Sequence, residues 1–245
     1  MAKSSGKKSS IKPKIQKVKA KFFKTYYSNP AKDLRIIAVT GTTGRDITAH
    51  FLHEIIKSRD AKTGLIIDPK STSDLYKQLY DVWRSGTDHV VISVTSSALA
   101  NHFFYGLPIF AAVITDSINS QNSVMNTTED ADPEAKAILF NKEPFYSILN
   151  RDDPNYELFA KYPAKTAVLS YGTSKEADLQ ITRTKLYRLG TEASFNFKGE
   201  KFDAATYVPG EASVDYMAAA ALTAFAIGLN SEIITDGIAE YEPGK

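Results

Sequence analysis

The residues best placed to do chemistry lie in a glycine-rich stretch, residues 39–48, reading VTGTTGRDIT. Gly41 and Gly44 hold the turn, so that backbone N–H groups can face a phosphate. A helix that follows adds the positive end of its dipole. Loops of this kind normally close with a lysine for the β- and γ-phosphates and a hydroxyl for Mg²⁺; here Arg45 and Asp46 occupy those two places. Arg45 keeps the charge, in a bulkier planar fork. Asp46 reverses it: a carboxylate about 5 Å from a phosphate oxygen is repelled by roughly 3 kcal/mol per charge pair at an effective dielectric of about 20. Two readings of Asp46 stand. It is an internal anion at the positive end of the helix, worth about 0.3–1 kcal/mol there, or it is a carboxylate ligand for Mg²⁺, which would turn repulsion into attraction.

Other reactive side chains form weaker patterns. His50 and His53 are three apart on one helical face, a spacing open to a metal, yet no third ligand stands nearby in sequence, so they read as surface histidines. Ser93, Ser96 and Ser97 lack the G-x-S-x-G frame of a hydrolase nucleophile. Asp152 and Asp153 precede Pro154 and read as loop residues rather than a catalytic dyad. The chain has no cysteine, which excludes disulfides, thiolate metal sites and cysteine nucleophiles.

The elements that must position these residues alternate. Strands are expected at residues 35–40, 64–68, 89–94, 111–115, 146–150 and 167–171. Several are apolar throughout, as in a parallel sheet buried on both faces. Helical spacing marks residues 47–58, 74–84, 134–140, 155–161, 214–229 and 231–241. Residues 178–208 alternate polar and apolar, with turns near Leu189 and Gly199, and read as antiparallel hairpins. The fold class expected is a three-layer α/β domain of the phosphate-binding-loop type, with a doubly wound, mostly parallel sheet and a late antiparallel region.

The formal charge of +2 conceals an asymmetry. Ten lysines precede the first acid, Asp33; beyond it 20 basic residues face 27 acidic ones, so a basic arm, residues 1–33, is joined to a body of charge −7, residues 34–245. The arm is read as disordered over residues 1–13 and as a short amphipathic helix over residues 15–27, with anionic lipid or nucleic acid as the partners its charge would suit. Its aromatic residues, Phe22 to Tyr27, could also stack on single-stranded bases. No apolar run reaches the length of a membrane span, and no signal-peptide pattern opens the chain, which reads as cytoplasmic.

In this order and spacing the motifs resemble the central domain of the Mur ligases, most nearly the UDP-N-acetylmuramoyl-tripeptide synthetase branch. The family's loop reads GTNGKT, against GTTGRD here. Its substrate segment TTP plus an acid is matched by STSD at residues 71–74, and its EVSSHAL by SVTSSAL at residues 93–99. GLPIFAAVITD at 106–116, AKAILF at 135–140, NRDDP at 150–154 and Tyr171 with Gly172 follow in family order. An alanine-rich helix then comes after Gly210. The resemblance implies ATP and Mg²⁺ as cofactors and a UDP-muramoyl peptide as substrate. It assigns nucleotide contacts to Gly41, Thr42, Thr43, Gly44, Arg45 and Asp46, and substrate contacts to Thr72, Ser73, Thr95 and Ser96. Asp46 would be the Mg²⁺ ligand. Lys136 aligns with the lysine that carries a metal-binding carbamate; the alternative is an ordinary exposed helix lysine.

The departures fall on working residues. Ser93 replaces the strand-end glutamate that binds Mg²⁺, Ser97 a histidine and Phe103 a substrate-binding arginine. Gln121 stands in a second metal region that keeps no acid, and Ser213 and Tyr216 replace the asparagines near adenine. About 33 residues precede the core and none follow it, so the flanking domains of the family are expected to be absent or supplied by a protein partner. Two expectations result: a Mur-ligase-type protein of peptidoglycan precursor synthesis with weak or no ligase activity in this chain alone, or a non-catalytic scaffold or regulatory module.

Overall fold

The structure, a computed structural model, describes residues 11–59, 62–117 and 132–244. Its centre is one nine-stranded sheet. In spatial order the strands are β2 (Thr63–Ile67), β3 (His89–Val94), β1 (Arg35–Thr40), β4 (Ala111–Ile114), β5 (Tyr146–Asn150), β6 (Ala167–Gly172), β7 (Leu179–Tyr187), β8 (Gly190–Phe197) and β9 (Glu200–Thr206). Pairing is parallel from β2 through β7 and antiparallel from β7 to β9. Successive residues of β1 show why apolar runs were needed. Ile37 and Val39 enter one core and Ile36 and Ala38 the other, all fully buried.

Helices α2 (Arg45–Ser58), α7 (Ala212–Ala226) and α8 (Ser231–Glu240) cover the first face. Helices α1 (Ile11–Tyr26), α3 (Thr72–Arg84), α4 (Ser96–Ala100), α5 (Pro133–Phe140) and α6 (Tyr156–Ala160) lie with the second. The expected three-layer, mostly parallel architecture with a late antiparallel region is therefore present. Four consecutive alanines of α7, Ala218 to Ala221, are completely buried, so this helix lies close against the sheet. Phe225 at its end stacks on Phe197 of β8 with ring centroids 4.2 Å apart, tying the antiparallel strands to the same core.

Boundaries differ from the sequence reading where turn chemistry decides them. α2 starts at Arg45 rather than at residue 47, because Gly44 takes φ 69° and turns the chain directly into the helix. α3 starts at Thr72 rather than residue 74, with the Ser71 side chain accepting the Asp74 N–H. α7 stops at Ala226 rather than 229: Gly228 adopts φ 90° and the Leu229 N–H closes back on the Ala224 carbonyl. The short α4, capped by Thr95, was not expected. The arm helix runs from Ile11 to Tyr26, earlier than residues 15–27, so residues 11–13 are helical where disorder was expected over residues 1–13; residues 1–10 lie outside the described residues.

Candidate functional site

Parallel strands place the loops that follow them at one edge of the sheet, and a crevice opens where neighbouring connections leave in opposite directions. Here that point is β1, flanked by β3 and β4. The loops after β1, β2, β3 and β4 converge there and bring together residues far apart in the chain. Gly41 to Gly44 follow β1, Asp68 follows β2, Ser93 lies near the end of β3, and Thr115 and Asp116 follow β4.

The glycine-rich loop is tightly enclosed. A Cβ on Gly41 would lie 1.9 Å from the Thr115 hydroxyl oxygen, and one on Gly44 would lie 1.9 Å from the Tyr216 ring. Only glycine fits at either position. Within this enclosure Asp116 acts as an anion bound to the loop. Its Oδ1 accepts the N–H groups of Thr42 at 2.6 Å and Thr43 at 2.9 Å, and its Oδ2 accepts the Thr43 hydroxyl at 2.7 Å. Thr115 donates its hydroxyl to the Thr43 carbonyl at 2.6 Å, and Tyr216 donates its own to Thr43 Oγ1 at 3.1 Å. Burial, before any other cause, pushes the Tyr216 hydroxyl above its ordinary range, so it remains a donor.

Arg45 does not point outward. Its Nη2 lies 3.1 and 3.4 Å from the two oxygens of Asp68, its Nη1 3.5 Å from the Gly41 carbonyl and its Nε 3.6 Å from Asp46. Asp46 accepts a short hydrogen bond from the Ser93 hydroxyl. The two substitutions noted at these positions are thus partners. Where the resemblance puts a hydroxyl on the helix and a carboxylate on the strand, this chain has a carboxylate on the helix and a hydroxyl on the strand, in direct contact.

Lys136 is completely buried, which overturns its reading as an exposed helix lysine. Its ammonium donates to the Thr42 hydroxyl at 2.6 Å and the Ser117 carbonyl at 3.0 Å, linking α5 to the loop. Beside this cluster, Asp215 in the first turn of α7 has its carboxyl pushed up to about 7, by burial first and then by Asp152, Asp116 and Glu211.

The remaining sequence candidates divide. Thr72 is buried and donates to the Gln16 side chain of α1 at 3.0 Å, while Ser73 borders a cavity of about 410 Å³ shared with Gln16, Phe22 and Phe103. Thr95 spends its hydroxyl on capping α4, and Ser96 is buried at the start of that helix. These four residues lie at the ends of adjacent strands β2 and β3, on the same edge as the glycine-rich loop. Gln121 lies outside the described residues.

The two histidines are half-buried, not surface groups. Burial lowers the pKa of each, and His50 stacks on Tyr241 at 4.9 Å. Among the described residues no group of three histidine, aspartate or glutamate side chains could hold a metal ion. Asp153 accepts the N–H of Ser117 at 2.6 Å and that of Asn155 at 2.8 Å, while Asp152 accepts the N–H of Thr173 at 2.7 Å. Both anchor loops.

Sequence reasoning missed the role of Asp116, although it ends the stretch GLPIFAAVITD that was matched to the family. It also missed Asp68 and Asp215. No local pattern links Asp68 to Arg45 or Asp215 to Asp116.

Comparison with known proteins places this geometry. A family model described as the Mur ligase middle domain matches residues 39–224. A UDP-N-acetylmuramoyl-L-alanyl-D-glutamate–2,6-diaminopimelate ligase of Bacillus licheniformis is 29% identical over 238 residues, a match covering 87% of this chain and 48% of that protein. The chain thus spans about half the length of the curated relatives it matches. A solved UDP-N-acetylmuramoyl-L-alanyl-D-glutamate–2,6-diaminopimelate ligase superposes with a TM-score of 0.73 at 24% identity, covering 85% of this chain and 46% of the other. The MurF ligase of Thermotoga maritima in complex with ADP gives 0.66 at 16% identity, covering 90% and 52%. At these identities the superpositions establish the fold alone.

Proposed function

The chain belongs to the Mur ligase family, matching its middle domain over most of its length, and from that membership we propose a Mur-ligase-type domain of peptidoglycan precursor metabolism that does not perform the ligase reaction by itself. The reaction implied by the resemblance, phosphoryl transfer to a carboxylate followed by attack of an amine, is mostly a matter of positioning and charge neutralisation. The observation that carries the reading is Asp116, whose carboxylate holds the loop N–H groups of Thr42 and Thr43. A phosphate would have to displace it from charge-assisted hydrogen bonds, which are about twice as strong as neutral ones. It would then sit near Asp46 and Asp68, with Arg45 already drawn onto the latter. On this reading the loop takes up no Mg·ATP. The role left to the crevice is binding, of a UDP-muramoyl peptide at the ends of β2 and β3 or of a protein partner.

A second reading rests on the exchanged pair. Asp46 and Ser93 still offer one carboxylate and one hydroxyl to a hard cation, oxygen ligands of the kind Mg²⁺ takes. In that reading a nucleotide still binds, with the carboxylate supplied from the helix.

Calorimetric titration with ATP and Mg²⁺ separates the two. The native chain is expected to give no binding heat. Asp116→Asn, which removes the negative charge from the loop N–H groups that a phosphate would use, is expected to raise affinity for ATP at least about tenfold. Arg45→Lys with Asp46→Thr in that background should raise it again. Tight binding and hydrolysis by the native chain would sink the first reading and favour the second.

A further inference from the structure

Helix α1 has three faces. Gln16, Ala20, Phe23 and Tyr27, just past its end, turn inward. Ala20 is fully within the core, Gln16 accepts from Thr72, and the Tyr27 ring lies 5.5 Å from that of Tyr80 on α3. A second face is apolar and exposed: Ile15, Val18, Phe22 and Tyr26, spaced at i, i+3, i+7 and i+11, are 48%, 68%, 60% and 68% exposed. Phe22 and Tyr26 stack on each other with centroids 5.9 Å apart, forming a continuous ridge. Lys14 and Lys21 border this ridge on one side by helical spacing and Lys19 on the other, while Lys17 and Lys24 continue the basic strip. No acid occurs among the first 32 residues, which carry ten lysines.

We propose that α1 docks the protein on anionic phospholipid membrane, lying in the interface plane with the Ile15–Val18–Phe22–Tyr26 ridge among the acyl chains and the flanking lysines at the headgroups. The two features exclude simpler partners together. Lysines alone would suit any polyanion, but a phosphodiester backbone gives Ile15 and Val18 nothing to bury against. A neutral apolar partner would give the lysines nothing to pair with. An interfacial helix needs both, and it keeps low overall hydrophobicity. The inward face already holds α1 to α3, so insertion requires no unfolding of the domain. Juxtamembrane lysines of this density respond to the negative surface potential of a bilayer and lose that attraction as salt rises.

The test is co-sedimentation of the full chain with two sets of vesicles, pure phosphatidylcholine and equal parts of phosphatidylcholine and phosphatidylglycerol. The expected result is binding to the anionic vesicles at least about tenfold tighter than to the neutral ones, weakened by added salt. Val18→Ser with Phe22→Ser keeps every charge and should reduce that binding about tenfold; Lys14→Glu with Lys21→Glu keeps the ridge and should do the same. All four positions are exposed, and circular dichroism verifies that the variants stay folded. Equal binding to both vesicle types, or full retention by the serine variant, overturns the proposal. So does tight binding to a single-stranded oligonucleotide without vesicle binding.

Discussion

Replacing Asp215 by asparagine is expected to stabilise the folded chain at pH 8 and to change it little near pH 4. An acid in the first turn of a helix normally gains from the dipole, but this carboxyl is buried and faces Asp152, Asp116 and Glu211. Its pKa is raised from 3.8 to about 7. Below the unfolded value both states hold the proton and the group costs nothing. As pH rises past about 4 the unfolded chain releases the proton while the folded chain keeps it, so stability falls. The loss is complete once pH passes about 7, where both states are ionised and the folded one carries the full penalty. The difference corresponds to roughly 4 kcal/mol, and asparagine is free of it at every pH. Urea midpoints of the two proteins at pH 4, 6 and 8 should diverge in that order, and parallel curves would show that the carboxyl ionises normally in the fold.

The same measurement reports on the loop. Asp116 is one of the charges that raise Asp215, and it is the group bound to Thr42 and Thr43. In an Asp116→Asn background the benefit of Asp215→Asn should shrink, because the two substitutions remove the same repulsion and electrostatically coupled sites do not add. The Asp116 carboxylate bound at the loop therefore carries a cost in α7. Both effects disappear together below about pH 4.

Much of this was legible in the sequence and some was not, for physical reasons. RIIAVT and HVVISV announced buried parallel strands because a strand covered on both faces has no polar alternation to hide. The glycine spacing located the loop, and the exchange of Arg45 and Asp46 for a lysine and a hydroxyl was visible in a single line of text. The partners that give those residues meaning were not. Asp68, Ser93 and Asp116 arrive from three other strand ends, and only the parallel order β2-β3-β1-β4 makes them neighbours. Lys136 is an intermediate case. Its segment AKAILF is apolar on every side, and Ala135, Ala137, Leu139 and Phe140 are all buried. A single cation in so apolar a helix was a signal that the lysine points inward to a polar partner, as it does.

Gly237→Ala is expected to destabilise the domain by about 3 kcal/mol, the cost of overpacking a rigid contact. Helix propensity alone predicts the opposite sign, since glycine inside a helix is less stable than alanine by about 1 kcal/mol. The packing decides between them. A Cβ on Gly237 would lie 2.3 Å from the Ile55 Cα and 2.6 Å from its nitrogen, backbone atoms that cannot rotate away. Ile55, Ile234 and Ile238 around it are completely buried, so neither α2 nor α8 can shift without opening the core. Ile55 belongs to the helix whose first residues are Arg45 and Asp46, and a displaced α2 would carry the start of the site with it. Thermal unfolding gives the sign, and hydrogen exchange along α2 should show faster opening in the variant. A higher melting temperature for Gly237→Ala would mean that α2 and α8 do not approach this closely in solution.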